Sequence, residues 1–332
     1  MNMKKGIFSI LFLFMLLLAQ AQKVDKIITK SETARIEKAL SSDEMGGRRA
    51  FTPSIDKAAL FIANEFASIG LQSIKGDNNY LQNFTIARPA RWPKEFGPQG
   101  DSLSLANVVA VLPGKSKPNE YVIFSGHYDH LGINGKRAVN GDSLFNGAND
   151  DAAGTTAMIM LAKYFKAINN NERTILFAAF TAEEIGGFGA TYFSKQLDPS
   201  QVVAMFNIEM IGTESKWGKN SAYITGYEKS NMGEILQKNL SGSNFQFYPD
   251  PYTDQNLFYR SDNATLARLG VPAHTISTSK MDSEPNYHKP SDEYETLDMD
   301  NMNEIIKAIA LSSKSIVAGK DTPTRVDTTQ LK

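Results

Sequence analysis

Residues 153–180 read AGTTAMIMLAKYFKAINNNERTILFAAF. Ala157, Leu161, Tyr164, Phe165 and Ile168 recur at helical steps, which puts them on one face of a helix over 153–168. A polar break follows, and then Thr174–Phe180 is apolar almost throughout, as in a strand buried on both faces. A helix feeding such a strand is the repeating unit of a parallel sheet, and the alternation continues outward in both directions. Short apolar runs at Asn107–Leu112, Tyr121–Ser125 and Val202–Ile208, with weaker ones at Ala222–Thr225 and Ala273–Ile276, predict further strands. Helices are expected over Lys229–Leu240, Asn263–Leu269 and Met299–Val317. Upstream, the first convincing helix is Pro53–Ile69, with Thr52 as N-cap, Pro53 at its first position and Gly70 at its end. Residues 86–105, rich in Pro, Gly and Arg, read as an exposed connection. The expected fold class is α/β, a three-layer α/β/α sandwich with a mostly parallel, mixed central sheet.

Composition narrows the chemistry. The chain has 332 residues, long enough to bury roughly 75% of its unfolded surface without disulfides or a structural metal. Its net charge is −1 with no basic block, so no nucleic-acid partner is expected. It contains no cysteine, which excludes thiol nucleophiles and sulfur-ligated zinc. Any metal must be held by His, Asp and Glu.

The first residues read as an address. Lys4 and Lys5 precede an apolar run from Ile7 to Leu18, and Ala19-Gln20-Ala21 offers small residues where a signal peptidase cuts. The run is shorter than the ~20 residues of a spanning helix. Residues 1–21 are therefore read as a signal peptide and 22–332 as one catalytic domain with its core at about 35–318. The expected product is exported, periplasmic or secreted, and keeps no membrane anchor. It is read as a monomer.

Acids and histidines collect where the strands end. His127 and Asp129 follow Tyr121–Ser125, Glu183 and Glu184 follow Thr174–Phe180, and Glu209 closes Val202–Ile208. Asp150 and Asp151 lie in the loop NGANDD before the 153–168 helix. Ligands of such sheets sit at the carboxyl ends of the strands. A carboxylate bridging two metals, with a His and an acid on each, needs five residues, and the chain offers His127, Asp150, Glu184, Glu209 and His288. Imidazole with carboxylate suits zinc, two ions per chain, ahead of manganese or cobalt. Adjacent glutamates allow Glu184 to ligate while Glu183 takes a proton from water. There is no H-E-x-x-H, no G-x-S-x-G and no phosphate loop.

The segments SGHYDHLG (125–132), NGANDDAAG (146–154), FTAEEIGGFGA (180–190), FNIEMIG (206–212) and YHKPSDE (287–293) resemble the co-catalytic zinc exopeptidases of metallopeptidase family twenty-eight. The resemblance implies an aminopeptidase acting on peptide substrates. It assigns His127 to the first metal, Asp129 to orienting the His127 ring, and Asp150 to bridging. Glu183 becomes the general base, Glu184 and His288 ligands of the second metal, and Asp292 a residue orienting His288. One position departs: Glu209 stands where the family has Asp. The extra methylene puts its ligation and the fit of a bound amine in question.

Other residues receive plainer readings. His130 is taken as a hydrogen-bonding neighbour, His274 as a satisfied core residue and Asp151 as a helix-start acid, while Asp262 is left open between site and scaffold. The rival functions are a carboxypeptidase, a single-zinc cyclase-type acyltransferase and a binding domain without activity. N-terminal sequencing of exported protein is expected to begin at Gln22; an intact membrane-embedded chain would reject the leader reading.

Overall fold

The strand read over Tyr121–Ser125 runs from Lys117 to His127 and lies at the middle of a nine-stranded sheet. A computed structural model of the chain describes residues 23–76, 79–89, 92 and 99–331. The signal-peptide reading of residues 1–21 lies outside the described residues.

In chain order the strands are β1 (Gln72–Ser73), β2 (Leu81–Ala87), β3 (Ser102–Leu112), β4 (Lys117–His127), β5 (Gly132–Ile133) and β6 (Leu144–Phe145). They continue as β7 (Arg173–Phe180), β8 (Val202–Ile208), β9 (Ser221–Ile224), β10 (Gln246–Pro249) and β11 (Ala273–Ser277). The sheet order is β1-β3-β7-β4-β8-β11-β9-β10, with β2 beside β3. The four central strands, β7, β4, β8 and β11, are parallel. Antiparallel pairs flank them at β3–β7 and β11–β9. The sheet is therefore mixed: four parallel strands at its centre, and a further parallel pair, β9–β10, at one edge. Residues 86–105 are not wholly a connection, because both ends belong to the antiparallel pair β2–β3, where Ala87 faces Ser102.

The helices are α1 (Lys30–Leu40), α2 (Pro53–Ile69), α3 (Ala153–Ile168), α4 (Phe188–Ser194), α5 (Met232–Asn239), α6 (Asn263–Ala267), α7 (Met299–Ser312) and α8 (Lys314–Val317). Side chains alternate across the strands and so divide the core into two layers. Val122, Phe124, Phe177, Phe206 and Ile208 pack with residues of α1, α2, α3, α5, α7 and α8. Ile123, Leu176, Phe180 and Met205 face α4 and α6 on the other side. Phe124 anchors the larger layer, its ring stacked 4.8 Å from Phe206 and 5.3 Å from Phe165.

Helices α2 and α3 have the bounds read from their periodicity. Gly70 ends α2 in left-handed backbone (φ 76°), its N–H on the carbonyls of Phe66 and Ala67. Thr52 occupies the N-cap position, but its hydroxyl donates back to the Arg49 carbonyl at 2.7 Å instead of accepting from the helix. Helix α1 has no counterpart in the sequence reading. Thr29 caps it, and Thr33, Ile36, Glu37 and Leu40 form its buried face. Two of those four are polar, so the apolar period that announces a helix is broken.

Glu37 is fully buried near Arg48, the strut between this first layer and the loops beyond it. The Arg48 guanidinium donates from Nε to Tyr128 O (2.8 Å), from Nη1 to Leu40 O and Asn146 O (2.6 Å each), and from Nη2 to Gly147 O (2.9 Å). Burial pushes the Glu37 carboxyl up to about 8, although Thr156 and Arg48 pull the other way. A carboxyl raised in the folded state contributes stability that is complete below the unfolded pKa, near 4.5, and is lost as pH rises through about 8. Glu37→Gln is therefore expected to flatten the loss of stability between pH 5 and 9, by an amount on the order of a few kcal/mol. Urea unfolding at several pH values measures this; parallel curves for the two proteins would show that Glu37 is ionised in the fold.

Candidate metal centre

The carboxyl ends of β4, β7 and β8 deliver His127, Glu183 with Glu184, and Glu209 to one edge of the sheet, as parallel strands require. The 146–154 loop and the segment after β11 bring Asp150 and His288 to them.

His127 is the last residue of β4 and is buried. Its Nε2 lies 3.2 Å from Asp150 Oδ1. Its Nδ1 meets the main-chain carbonyl of Asp129 at 3.1 Å, whereas the nearest Asp129 carboxylate oxygen is 3.8 Å away. The ring is thus held by the backbone of Asp129. The Asp129 side chain does something else: Oδ1 accepts from Glu183 N (3.0 Å) and Oδ2 from Glu184 N (3.4 Å). It is a positioning residue for the glutamate pair through its carboxylate, while its main-chain carbonyl is what holds the His127 ring. Ala182, just before the pair, adopts left-handed backbone (φ 59°), which turns both glutamates out of the strand.

Two further aspartates clamp the loops. Asp292 accepts the N–H groups of Asn149 (2.8 Å) and Asp150 (3.0 Å), so it fixes the Asp150 loop and not the His288 ring. Asp151 accepts from Gly154 N (3.0 Å) in the manner of a helix-start acid. It also takes Met210 N (3.1 Å) and His127 N (3.2 Å), tying β4 to β8.

Within this frame Asp150 is central. Its Oδ2 lies 3.2 Å from His288 Nε2, which is also 3.1 Å from Glu184 Oε2. The other Glu184 oxygen, Oε1, is 2.7 Å from His130 Nδ1. His130, Asp150 and Glu184 each offer an atom within 4.8 Å of the other two. His130 is therefore inside the donor set, where sequence reasoning made it a neighbour. The three-residue step from His127 in H-Y-D-H was the available signal. His288, itself in left-handed backbone (φ 55°), stacks on Tyr287 at 3.9 Å and keeps 29% of its side chain exposed, marking the open side of the cluster.

Glu209 is buried beside Ser261, and its Oε2 has no hydrogen-bond partner. Burial, with Asp150 and Glu184 nearby, raises its carboxyl to about 7 despite His127. Asp262 joins this side: both its oxygens lack partners, and burial with Glu209 as neighbour raises it to about 8. Glu183 lies well above the usual carboxylate range, through burial first and then Glu209 and Asp262, with His127 opposing. His274 is the core residue read from sequence, bonded to Ser230 Oγ (2.7 Å) and Thr225 O (2.8 Å). Burial lowers its pKa to about 4.

The residues fit a divalent metal. His127 Nε2, His130 Nδ1, Asp150 Oδ2, Glu184 Oε1 and Glu209 Oε2 are buried without hydrogen-bond partners. Leaving such atoms unmatched is costly, and a shared cation satisfies them together. The contacts of 3.1–3.2 Å are close to the ~3.3 Å edge of a tetrahedron with metal bonds of ~2.0–2.2 Å.

Comparison with known proteins follows this geometry. A family model described as Peptidase family M28 matches residues 107–312. A probable leucine aminopeptidase of Trichophyton verrucosum is 28% identical over 256 residues, covering 70% of this chain and 67% of that protein. The structure of a zinc aminopeptidase from Bacillus subtilis superposes with a TM-score of 0.69 at 16% identity, over 89% of this chain and 97% of that one. A Porphyromonas gingivalis glutaminyl cyclase superposes with a TM-score of 0.66 at 14% identity, over 88% and 99% of the two chains; at these identities the likeness is one of fold.

The clamp on the Asp150 loop is open to test. Asp292→Asn retains only one acceptor for two N–H groups, so exchange of the Asn149 and Asp150 amides is expected to speed up. Metal affinity should fall about 10–100-fold, the usual effect of removing such a support. Chelator competition and hydrogen exchange measure the two; unchanged values for both would remove Asp292 from the site.

Proposed function

The chain belongs to peptidase family M28, and on that premise we propose that it is an exported aminopeptidase working with two zinc ions. It is a zinc-dependent hydrolase of peptide bonds by family. The observation that carries the finer reading is the division of labour at the glutamate pair. Glu184 is turned to His288, His130 and Asp150, while Glu183 stays on the side of His127, Glu209 and Asp262.

In this reading His127, Asp150, Glu184, Glu209 and His288 would hold the zinc, His127 facing Asp150 Oδ1 and His288 facing Asp150 Oδ2 and Glu184. Zinc supplies Lewis acidity toward the scissile carbonyl and the attacking water. Glu183 accepts a proton from that water as its oxygen attacks the carbonyl carbon, then gives it to the departing amine when the C–N bond breaks. A raised carboxyl pKa suits a group that must both take and return a proton near neutral pH. Asp262, with both oxygens unpartnered, and Glu209, with Oε2 unpartnered, lie beside the base and are placed to meet a free α-ammonium. That favours cleavage of unblocked N-terminal residues over C-terminal ones. Apolar first residues are the expected substrates, in line with the leucine aminopeptidase relative. The leader at residues 1–21 supports a periplasmic or secreted site of action.

Glu183→Gln is expected to keep zinc and fold while losing roughly 10²–10⁴ in kcat, the usual contribution of a general base. Glu184→Gln should lose zinc as well. Aminoacyl reporters and metal analysis on purified protein test both, with N-acetylated peptides as control. Near-native turnover by Glu183→Gln, or equal cleavage of blocked and free peptides, would overturn the assignment.

A further inference from the structure

Beside Glu184 the cluster opens into a cavity of about 140 Å³, several times the ~30 Å³ share of one water molecule in the liquid. Arg49, Asp129, Asn134, Arg137 and Glu184 are among its walls. Glu209 and Asp262, the acids proposed to meet an α-ammonium, are not. A substrate whose ammonium sits with those two carries the rest of its chain toward the Glu184 side, where this cavity lies. The acids on the cavity wall are already engaged. Asp129 accepts the N–H groups of Glu183 and Glu184, and the Glu184 carboxylate meets His130 and His288.

Arg137 is different. It ends a short turn, Gly135–Arg137, which lies between β5 and β6 and is closed by Asn134, whose side chain accepts from Lys136 N at 3.1 Å. Neutral groups hold its guanidinium: Nη2 donates to His288 O at 2.7 Å, and Cζ lies 5.0 Å from the centre of the Phe145 ring. Among the described residues no carboxylate pairs with it. An arginine carries five N–H donors in a planar fork that matches a carboxylate. One donor is occupied by His288 O, and the ring contact restrains the rest, so the fork is oriented before a ligand arrives. Less side-chain freedom is then lost on binding than for an unrestrained surface arginine.

Resting on the aminopeptidase reading above, we propose that Arg137 sets specificity on the leaving side of the scissile bond, by binding a carboxylate carried by the second residue of the substrate. That carboxylate is the side chain of an acidic second residue or the terminus of a dipeptide, and both present the same group to the same fork. Without Arg137, a carboxylate brought beside Glu184 and Asp129 would meet only like charge on that wall. The contact is made in the ground state and the transition state alike, so it lowers KM and leaves kcat little changed. A charge preference at the second position is thereby added to the apolar preference at the first.

Two substrate pairs test this on the purified, zinc-loaded protein: Leu-Ala against Leu-Ala amide, and Leu-Glu-Ala amide against Leu-Gln-Ala amide. The first pair reports a dipeptide terminus and the second an acidic side chain. Wild type is expected to favour the carboxylate member of at least one pair by about tenfold in kcat/KM, mostly through KM. Equilibrium binding of the released products, each against its uncharged counterpart, should show the same preference without turnover. Arg137→Gln should bring the ratio to within about twofold of one. Arg137→Lys keeps the charge without the fork, should retain part of the ratio, and supplies the test if the Gln variant does not fold, which circular dichroism and zinc content monitor. If Arg137 only anchors the His288 carbonyl, both members of a pair fall together and the ratio stays. That outcome overturns the proposal, as does a wild type with no preference in either pair. A wild type that releases leucine from none of the four peptides would instead refute the aminopeptidase reading on which the subsite rests.

Discussion

Three aspartates that accept only backbone N–H groups set the position of the unpartnered donor atoms. Asp129 holds the Glu183 and Glu184 amides, Asp151 joins His127 to Met210 and Gly154, and Asp292 holds Asn149 and Asp150. Charge-assisted bonds of this kind are about twice as strong as neutral ones, and here all but the Asp151–Gly154 bond cross between segments distant in sequence. The result is a rigid frame around side chains several of whose buried polar atoms have no hydrogen-bond partner. Such an interior is unfavourable alone: Asp150, Glu184, Glu209 and Asp262 repel one another, and burial raises the cost of charging them. The frame prevents the relief an unconstrained loop would find, which is to turn its carboxylates into water. Unrelieved, the clustered carboxylates favour a cation among them.

Much of this placement was readable from the chain itself, because it follows from topology. In a parallel sheet every strand ends on the same edge, so acids and histidines just after apolar runs must converge, and His127, Glu183, Glu184 and Glu209 do. What was hidden falls into two physical classes. Side chains that serve the backbone leave no trace in residue spacing: Asp129 and Asp292 were assigned to histidine rings, yet both bind N–H groups. Elements with polar buried faces also escape a periodicity test. Helix α1 buries Thr33 and Glu37 among Ile36 and Leu40, so its amphipathic stripe is masked. The β2–β3 pair was misread for the related reason that its outer ends are exposed and carry no alternation strong enough to register.

Glu209 shows how a frame can absorb a change in side-chain length. Met210, immediately after it, is in left-handed backbone (φ 52°), and its N–H is fixed by Asp151. The Glu209 N–H is fixed in turn by Ile276 O at 3.1 Å. With the main chain pinned on both sides, the longer stem cannot be taken up by a backbone shift. The carboxylate lies near Ser261 and shares its surroundings with Asp262. Its charge thus lies next to Ser261 and Asp262, with Asp150 still among its neighbours.

The segment matched by the family model begins at residue 107, yet part of what holds the site lies before it. Arg48 reaches from the first layer to Tyr128, Asn146 and Gly147, the carbonyls of the two loops that carry His127, His130 and Asp150. A guanidinium is suited to this because its donors form a rigid planar fork, so one side chain fixes several acceptors at defined angles. Buried carbonyls deprived of that partner would be left unsatisfied at a cost of about 1–3 kcal/mol each. Tyr128 and Gly147 also bracket His130, one through the chain and one beneath the ring. Arg48 thereby connects the packing of α1 to the placement of the His130 imidazole. Residues 30–48 are thus coupled to the donor-bearing loops through three hydrogen bonds from one buried guanidinium.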